Sequence, residues 1–393
     1  MKKITIILAI LISILAVSFA GISFFTTNEV AIKDEETQKV VEMIRSYNGE
    51  FYKSKLTDEK DIELYEQIEE ALLYQVKNYK INFTEVETIN KVAVYVFLDN
   101  PFFSMNNSYY SIEEPDGLGY SLFKTIKLPY NMQGDLFYAS AKDALVKAEE
   151  IAKHTLEMKT DYDKAKFIHD YLITNVQYDD DEANKSANEI YGALNENKSR
   201  CEGLTNAYTL LLNLAGIEAT AVHYFAEDID QEAVEGHMWN LIKLDGEYFY
   251  SDTTYDNLQT TDKKLNNKVA YHYFMLNTKE VLNYATFNSY IAKLLPTIEF
   301  SKNEYFTRNN LVIKSYNREK VGKLIGLKLK EQKKSKINGV SVKFEKKADY
   351  DKALKSKEFG YLLSVISEYD SYNSSKFSYI HDADRLIVTV CVE

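Results

Sequence analysis

The stretch between residues 199 and 257 contains two patterns of hydrophobic residues, one with helical spacing and one with the alternation of a strand. After Cys201, apolar residues recur at every third or fourth position and end before Gly216; they are Leu204, Ala207, Tyr208, Leu211, Leu212 and Ala215. This spacing predicts a buried helix that begins at Cys201 and ends at a C-cap glycine. Ser199 and Glu202 stand three residues apart just before that run, which predicts a capping box and places Cys201 in the first turn.

Beyond the helix the pattern changes to alternation between apolar and polar residues. The residues before Asp245-Gly246, which is the turn signal of a type I′ hairpin, alternate, and so do the residues after it. Pairing Leu244 with Glu247 sets the register of this predicted hairpin. Because residues two apart on a strand share a face, His237 and Asp252 become diagonal neighbours, with roughly 7–8 Å between their backbones.

The predicted helix and hairpin supply a thiol, an imidazole and a carboxylate. The positive end of a helix favours a thiolate, which is the nucleophilic form of cysteine. A carboxylate beside an imidazole orients the ring so that its other nitrogen can take the thiol proton. Taken singly, Cys201 is explained as well by burial as a small apolar residue, and His237 by a structural place in a strand. Together with Asp252 they favour nucleophilic catalysis.

These residues and their spacing resemble the transglutaminase-like superfamily, in particular its bacterial extracellular members. The matching motifs are Cys201-Glu202-Gly203, Gly236-His237-Met238-Trp239-Asn240 and Ser251-Asp252-Thr253-Thr254-Tyr255-Asp256. The resemblance implies that Cys201, His237 and Asp252 form a papain-like catalytic triad. It also implies an α+β fold in which the cysteine helix packs on an antiparallel sheet that carries the histidine and the aspartate. In papain-type enzymes proper the histidine lies roughly 130–150 residues after the cysteine, much farther than here.

The sequence departs from this family at the oxyanion donor. The better-known members use a tryptophan upstream of the cysteine, whereas the single tryptophan of this chain, Trp239, lies downstream. Tyr191 stands in a stretch that resembles the lead-in to the family's cysteine. It is a candidate oxyanion donor, with a plain core tyrosine as the alternative. Trp239 is a candidate for substrate binding.

Charge and cysteine content exclude several classes of function. The chain carries 59 acidic and 47 basic residues, a net charge of −12. This excess opposes binding to nucleic acid. Of the two cysteines, a disulfide between Cys201 and Cys391 would remove the nucleophile, so both are expected to be free. The sequence holds no zinc, P-loop or dinucleotide motif in a fitting context, so no metal or cofactor is predicted.

The N-terminus predicts export. Lys2 and Lys3 precede an uncharged apolar run from Ile4 to Phe25, with Ser18-Phe19-Ala20 as a small-x-small cleavage site. The run reaches the roughly 20 residues that span a bilayer. Residues 1–27 are therefore either a signal peptide or a membrane anchor. In both cases the positive charges stay inside, which predicts an extracellular or cell-surface location for the rest of the chain.

The remaining patterns divide the chain into three further parts. Residues 28–140 predict amphipathic helices followed by strands and loops, with a strand at Val92–Leu98. Residues 141–316 form the predicted transglutaminase-like domain, whose last helix is predicted at 279–295. A lysine-rich change in composition then leads into a small α+β domain at residues 317–393, with a strand, two helices and a hairpin.

The resemblance implies a thiol-dependent acyl-transfer enzyme that acts on amide bonds of a peptide or protein, with the cell wall as one place for that substrate. Resolution of the acyl-enzyme by water gives a cysteine peptidase or deamidase, and resolution by a lysine amine gives a transglutaminase. An exported enzyme meets water more readily than an amine, which favours hydrolysis. The alternative is a non-catalytic cell-surface binding module that keeps the same fold. The presence of all three triad residues favours the enzyme.

Overall fold

The computed structural model describes residues 34–82, 85–104, 111–113, 123–128, 130–181, 183–224, 236–257, 270–332, 339–370 and 376–392. Within these ranges the fold is α+β, as the sequence predicts. The chain separates into two compact units that divide between Lys142 and Asp143. The finer division predicted from the sequence stays a prediction. In the described ranges no helix is both long and apolar enough to cross a membrane, and the predicted leader at residues 1–27 lies outside them.

The first unit combines helices with a small antiparallel sheet. In chain order its elements are α1 Glu35–Ser46, a 3₁₀ turn Lys53–Lys55, α2 Glu59–Leu73, β1 Asn78–Asn82, α3 Val86–Asp99, β2 Ser111–Glu113 and β3 Phe123–Lys127. Strand β3 lies between β1 and β2 and is antiparallel to both. Helix α1 begins at the Asp34 cap and buries one apolar face, as its period predicts.

The apolar run Val92–Leu98 lies inside helix α3, so the strand predicted there is wrong. Every residue from Val92 to Asp99 is buried. A helix that is buried on all sides lacks the polar face that would reveal a helical period. Its valines also favour strands, which makes a short buried helix resemble a buried strand in sequence.

The second unit contains the residues singled out by the sequence. Helix α4, Asp135–Lys153, crosses the boundary between the units. The next elements are α5 Asp161–Asn175, β4 Gln177–Tyr178, a 3₁₀ turn Lys185–Asn188, a π-helix Gly192–Glu196, β5 Lys198–Ser199, α6 Cys201–Leu214, β6 Ala219–Tyr224, β7 His237–Leu244, β8 Glu247–Ser251, α7 Thr253–Asp256, β9 Phe274–Leu276 and α8 Thr278–Val281. Strands β6 to β9 form an antiparallel sheet in chain order, and α6 packs against β6 and β7.

The helix predicted at 279–295 is wrong beyond Val281, where α8 ends. The chain instead brings Phe287 against Trp239, with 6.1 Å between ring centroids. The N–H of Asn288 donates to the carbonyl of His223 at 3.1 Å. These contacts tie the segment to β6 and β7, and such tertiary contacts override helix propensity.

The last part of the second unit combines helices with another four-stranded sheet. Its elements are α9 Tyr305–Arg308, β10 Val312–Ile313, α10 Arg318–Gln332, β11 Gly339–Phe344, α11 Lys347–Ala353, α12 Ser356–Tyr369, β12 Phe377–Asp382 and β13 Ile387–Val392. The sheet order is β10-β11-β13-β12. The predicted strand, pair of helices and hairpin are all present. Gly322 lets α10 approach α12, because a Cβ there would lie 2.5 Å from the side chain of Val365.

Candidate functional site

Cys201 is the first residue of helix α6. Arg200 before it is extended, with φ −92° and ψ −179°, so the chain turns directly into the helix and leaves Cys201 half-buried at its N-terminus. Gly216, with φ +80°, follows the helix and donates its N–H to the carbonyl of Asn213. The predicted start and end of this helix are confirmed.

The capping box predicted from Ser199 and Glu202 is wrong, because the N-cap is Arg200 and its side chain makes no capping bond. Ser199 is fully buried, and its Oγ donates to the carbonyl of Ala187 at 3.0 Å. Gly203 also packs closely on this turn, since a Cβ there would lie 2.8 Å from the carbonyl oxygen of Ala187. The helix start is therefore held by packing on the turn that precedes it, and not by a side-chain cap.

The predicted hairpin is confirmed, with Leu244 paired to Glu247 and the ladder running back to Asn240 and Ser251. Asp245 and Gly246 have φ of 51° and 87°, and positive φ at both positions is what a type I′ turn needs. The amide of Asn240 donates to the carbonyl of Thr205 at 3.0 Å and to Thr209 Oγ1 at 2.8 Å. Through these bonds the hairpin is locked onto helix α6.

Asp252 leaves the ladder and becomes the N-cap of the short helix α7. One carboxylate oxygen, Oδ1, accepts the N–H groups of Thr254 and Tyr255, each at 3.0 Å. The other, Oδ2, accepts from His237 Nε2 at 2.7 Å. The backbone N–H of Asp252 donates to the carbonyl of Tyr273 at 2.8 Å. The side chain is fully buried, so the carboxylate has a single well-defined orientation toward the imidazole.

The imidazole of His237 contacts Asp252 on one side and the Cys201 thiol on the other. Burial alone would lower the pKa of His237, but the charge and hydrogen bond of Asp252, followed by the contact with Cys201, raise it well above its usual value. An imidazolium in this place stabilises a neighbouring thiolate.

Two aromatic rings hold the imidazole in place. The ring of Trp239 stacks on His237 with 5.8 Å between centroids, and the ring of Tyr255 stacks on it with 4.5 Å. Trp239 is fully buried, so this structure offers no exposed surface for the substrate contact predicted for it. Tyr255 is 40% exposed and was not singled out by the sequence. Its place in the motif after Asp252 is the only sequence signal that pointed to it.

A second histidine–aspartate pair lies behind the first. Asp256, at the end of α7, is fully buried, and its Oδ2 accepts from His169 Nε2 at 3.1 Å. Its Oδ1 accepts the N–H of Tyr273 at 2.9 Å. The other ring nitrogen of His169 faces Asp170 Oδ1 at 3.5 Å. His169 has no exposed surface, so this pair is part of the core.

Tyr191 and His223 are two further polar residues to consider at this site. Tyr191 is half-buried and immediately precedes the π-helix, and its role as oxyanion donor stays a prediction. His223 on β6 is buried beside His237, and burial, followed by the charge of His237, lowers the pKa of His223 to about 3. It is therefore neutral and cannot replace the imidazolium. In the described part of the chain no three His, Cys, Asp or Glu side chains are grouped to hold a metal ion.

One family model matches the part of the chain that contains these residues. Residues 149–253 match the family model of the transglutaminase-like superfamily, and this span holds Cys201, His237 and Asp252. The chain contains a transglutaminase-like domain. A comparison with curated proteins gave no match.

Solved structures resemble only part of this chain. They include a TGase (16% identity, TM-score 0.25), a candidate protease from Parabacteroides distasonis (13%, 0.23) and a candidate cysteine protease from Cytophaga hutchinsonii (16%, 0.24). Each match covers 37% of this chain, and 44%, 36% and 62% of the other chain in turn. The chain thus spans less than two thirds of each of these proteins.

Proposed function

We propose that this protein is an exported, thiol-dependent acyl-transfer enzyme that acts on amide bonds of peptides or proteins. The observation that carries the proposal is the arrangement around His237. The ring bonds to the buried carboxylate of Asp252 at 2.7 Å and contacts the thiol of Cys201 at the start of a helix. A base that is oriented by a third group and touches a nucleophile is the signature of covalent catalysis.

The chemistry that this arrangement supports proceeds in two halves. The Cys201 thiolate attacks the amide carbonyl carbon, and the carbonyl oxygen takes the negative charge. N–H groups at the start of α6 have no intrahelical partner and would stabilise that oxyanion, with Tyr191 as a further candidate donor. The C–N bond then breaks while the His237 imidazolium gives its proton to the leaving amine. An acyl-enzyme and neutral imidazole remain.

The second half-reaction decides the class of enzyme. Neutral His237 takes a proton from water or from an amine, the resulting nucleophile attacks the thioester, and the Cys201 thiolate leaves. We favour water, and hence a cysteine peptidase or deamidase, over an amine and cross-linking. An enzyme that works outside the cell is surrounded by water at a concentration that no amine reaches. The substrate that fits this location is an exported or cell-wall-associated peptide or protein.

Export itself rests on the sequence of the N-terminus. Lys2 and Lys3 followed by an apolar run support a signal peptide or anchor with the catalytic part outside. Fractionation of cells and protease treatment of their surface test this. Protease should remove the part of the chain after residue 27 from intact cells, and its complete protection where the cell wall admits protease would contradict export.

A thiol-reactive analogue of a peptide amide tests the enzymatic proposal. The probe should label the wild-type chain at Cys201, as located by peptide mapping, and should leave Cys201→Ser and heat-unfolded wild type unlabelled. Labelling that survives unfolding would reflect ordinary thiol chemistry and contradict the proposal. With an active substrate in hand, a labelled primary amine then separates the two outcomes. Hydrolysis predicts release of acid with little incorporated amine, and transamidation predicts the reverse.

A further inference from the structure

A buried arginine from the end of the chain reaches the candidate site. Arg385 lies in the turn between β12 and β13, far beyond the matched residues 149–253, and is 8% exposed. Its Nε donates to Asp382 Oδ2 at 2.7 Å. Its Nη1 donates to the carbonyl of His272, and the guanidinium lies 4.0 Å from the centre of the Tyr273 ring. One side chain thus holds two consecutive residues of the segment before β9.

The segment formed by His272 and Tyr273 supports both Asp252 and Asp256. The carbonyl of Tyr273 accepts the N–H of Asp252 at 2.8 Å, and its N–H donates to Asp256 Oδ1 at 2.9 Å. The ring of Tyr273 also contacts Tyr255, with 5.1 Å between centroids, and Tyr255 stacks on His237. Tyr273 is therefore linked to the backbone of Asp252 and to the Tyr255 ring that covers His237.

The chemistry of Arg385 suits a clamp better than a simple ion pair. Burying a guanidinium is costly unless its charge is paired with a nearby carboxylate. Here Asp382 balances the charge, the His272 carbonyl takes another donor and the Tyr273 ring covers the flat face. The nearby His272 adds no competing charge, because burial, followed by the charge of Arg385, lowers the pKa of His272 to about 3. A lysine would offer only a point charge and could not make all three contacts together.

We propose that Arg385 is a positioning residue for the Cys201–His237–Asp252 site, which makes the C-terminal hairpin part of the catalytic apparatus. The inference rests on the proposed function. Arg385 acts through Tyr273: it fixes the peptide that orients Asp252, and Asp252 in turn orients His237. Without that clamp the imidazole loses its fixed geometry, and Cys201 loses its oriented partner.

The test compares Arg385→Met with Arg318→Met. Arg318 is a matched control in the same part of the chain, because it also pairs with a carboxylate, Glu358, and stacks on a tyrosine, Tyr361, at 4.7 Å. The rate of alkylation of Cys201 by iodoacetamide is measured from pH 5 to pH 9, with unfolding curves for each variant. At pH 6, Arg385→Met should react about ten- to a hundredfold more slowly than wild type, as expected when a catalytic group is misplaced. Its pH midpoint should rise, and Arg318→Met should behave as wild type.

Arg385→Lys is the second variant, in case the methionine variant does not fold. Lysine retains the positive charge but not the planar guanidinium with its several donors. Cys201 in this variant should therefore also be alkylated severalfold more slowly than in wild type at pH 6. A folded Arg385 variant with a wild-type profile would overturn the inference, and so would loss of folding in both variants, because the residue would then serve the fold as a whole. His237→Ala distinguishes failure of the proposed function from failure of the inference about Arg385. If it also leaves the wild-type profile unchanged, the proposed function fails; if it alone changes the profile, only the inference about Arg385 fails.

Discussion

Two histidine–aspartate pairs stand on the short segment from Asp252 to Asp256, and they differ in their surroundings. In one, His237 Nε2 bonds to Asp252 at 2.7 Å, and in the other, His169 Nε2 bonds to Asp256 at 3.1 Å. The His237 side chain is 13% exposed and its ring also contacts the Cys201 thiol, whereas the His169 side chain has no exposed surface and its second nitrogen faces Asp170.

Under the proposed function, a histidine held by a carboxylate is not by itself a reactive group. The buried pair joins helix α5 to the end of α7, and a proton that it holds has no path to a substrate. The pair near Cys201 has the same donor and acceptor but adds a nucleophile and an opening to solvent. In the proposed enzyme, reactivity therefore depends on the nucleophile beside the imidazole and not on the carboxylate alone.

The largest expected effect comes from breaking the pair beside the thiol. Asp252→Asn keeps the shape of the side chain but leaves the imidazole without its negative partner. By analogy with the amidation of other triad aspartates, turnover should fall about 10⁴-fold. Steady-state kinetics on any amide substrate measures this, with Asp256→Asn as the matched control on the same helix. A loss below tenfold would mean that Asp252 serves the fold and not the reaction.

Breaking the buried pair should mainly cost stability. Asp256→Ala leaves His169 buried without its carboxylate and also removes the acceptor of the Tyr273 N–H. Removing one partner of a buried ion pair typically lowers the free energy of unfolding by about 3–5 kcal/mol. Urea unfolding measures the loss. The expected signature is a large fall in stability, with a loss of turnover per folded molecule that is smaller than in Asp252→Asn because the Tyr273 carbonyl still accepts the Asp252 N–H; the opposite pattern would contradict the division of roles.

The pH dependence of stability sharpens the same contrast. Burial alone would lower the pKa of His169, but its bonds to Asp170 and Asp256 raise it above the usual value. The folded chain thus holds this proton more tightly than the unfolded chain. The resulting stabilisation is fully present below about pH 6.5 and is lost as pH rises through the folded pKa.

Thermal unfolding from pH 6 to pH 9 checks this linkage. His169→Gln should show a weaker decline in stability with rising pH than wild type. His237 is present in both chains, so its own contribution cancels. Identical slopes in the two chains would show that the His169 proton is not bound more tightly in the folded state.

The smallest expected effect concerns the ring that covers His237. Tyr255 stacks on the imidazole at 4.5 Å, and aromatic pairs of this kind contribute about 0.5–1.5 kcal/mol. Tyr255→Ala should therefore lower turnover about two- to tenfold, whereas Tyr255→Phe, which keeps the ring, should stay within about twofold of wild type. Equal losses in both variants would assign the effect to the hydroxyl instead of the stack.

Local chemistry made much of the site predictable from the sequence. The Asp245-Gly246 turn fixes the register of β7 and β8, and Asp252 follows directly after β8, where its carboxylate bonds to His237. The apolar period after Cys201, with Gly216 at its end, likewise marks the helix in one continuous stretch. In both cases the determining residues are neighbours in the chain, so the pattern can be read without knowledge of the rest of the fold.

What could not be predicted depends on contacts between distant residues. The partner of Ser199 is a carbonyl of an irregular turn, so a hydroxyl that reads as a cap is used elsewhere. Arg385 binds the His272 carbonyl across more than a hundred residues, and nothing in its local sequence marks it. Val92–Leu98 was misleading because burial on every side removes the period on which the distinction between helix and strand rests.

The reactivity of Cys201 as a function of pH tests the central claim most directly. Iodoacetamide alkylation of this residue is followed by peptide mapping in wild type and in His237→Ala, with a short unfolded peptide around Cys201 as the reference. The peptide is the better standard because Cys391, the other thiol, is fully buried and reacts slowly in any case. The account predicts that wild-type Cys201 reacts well below pH 8, faster than the peptide at pH 6, and that its pH midpoint rises by more than about one unit in His237→Ala. A wild-type profile that matches the peptide, or one that ignores the loss of His237, would contradict a catalytic pair.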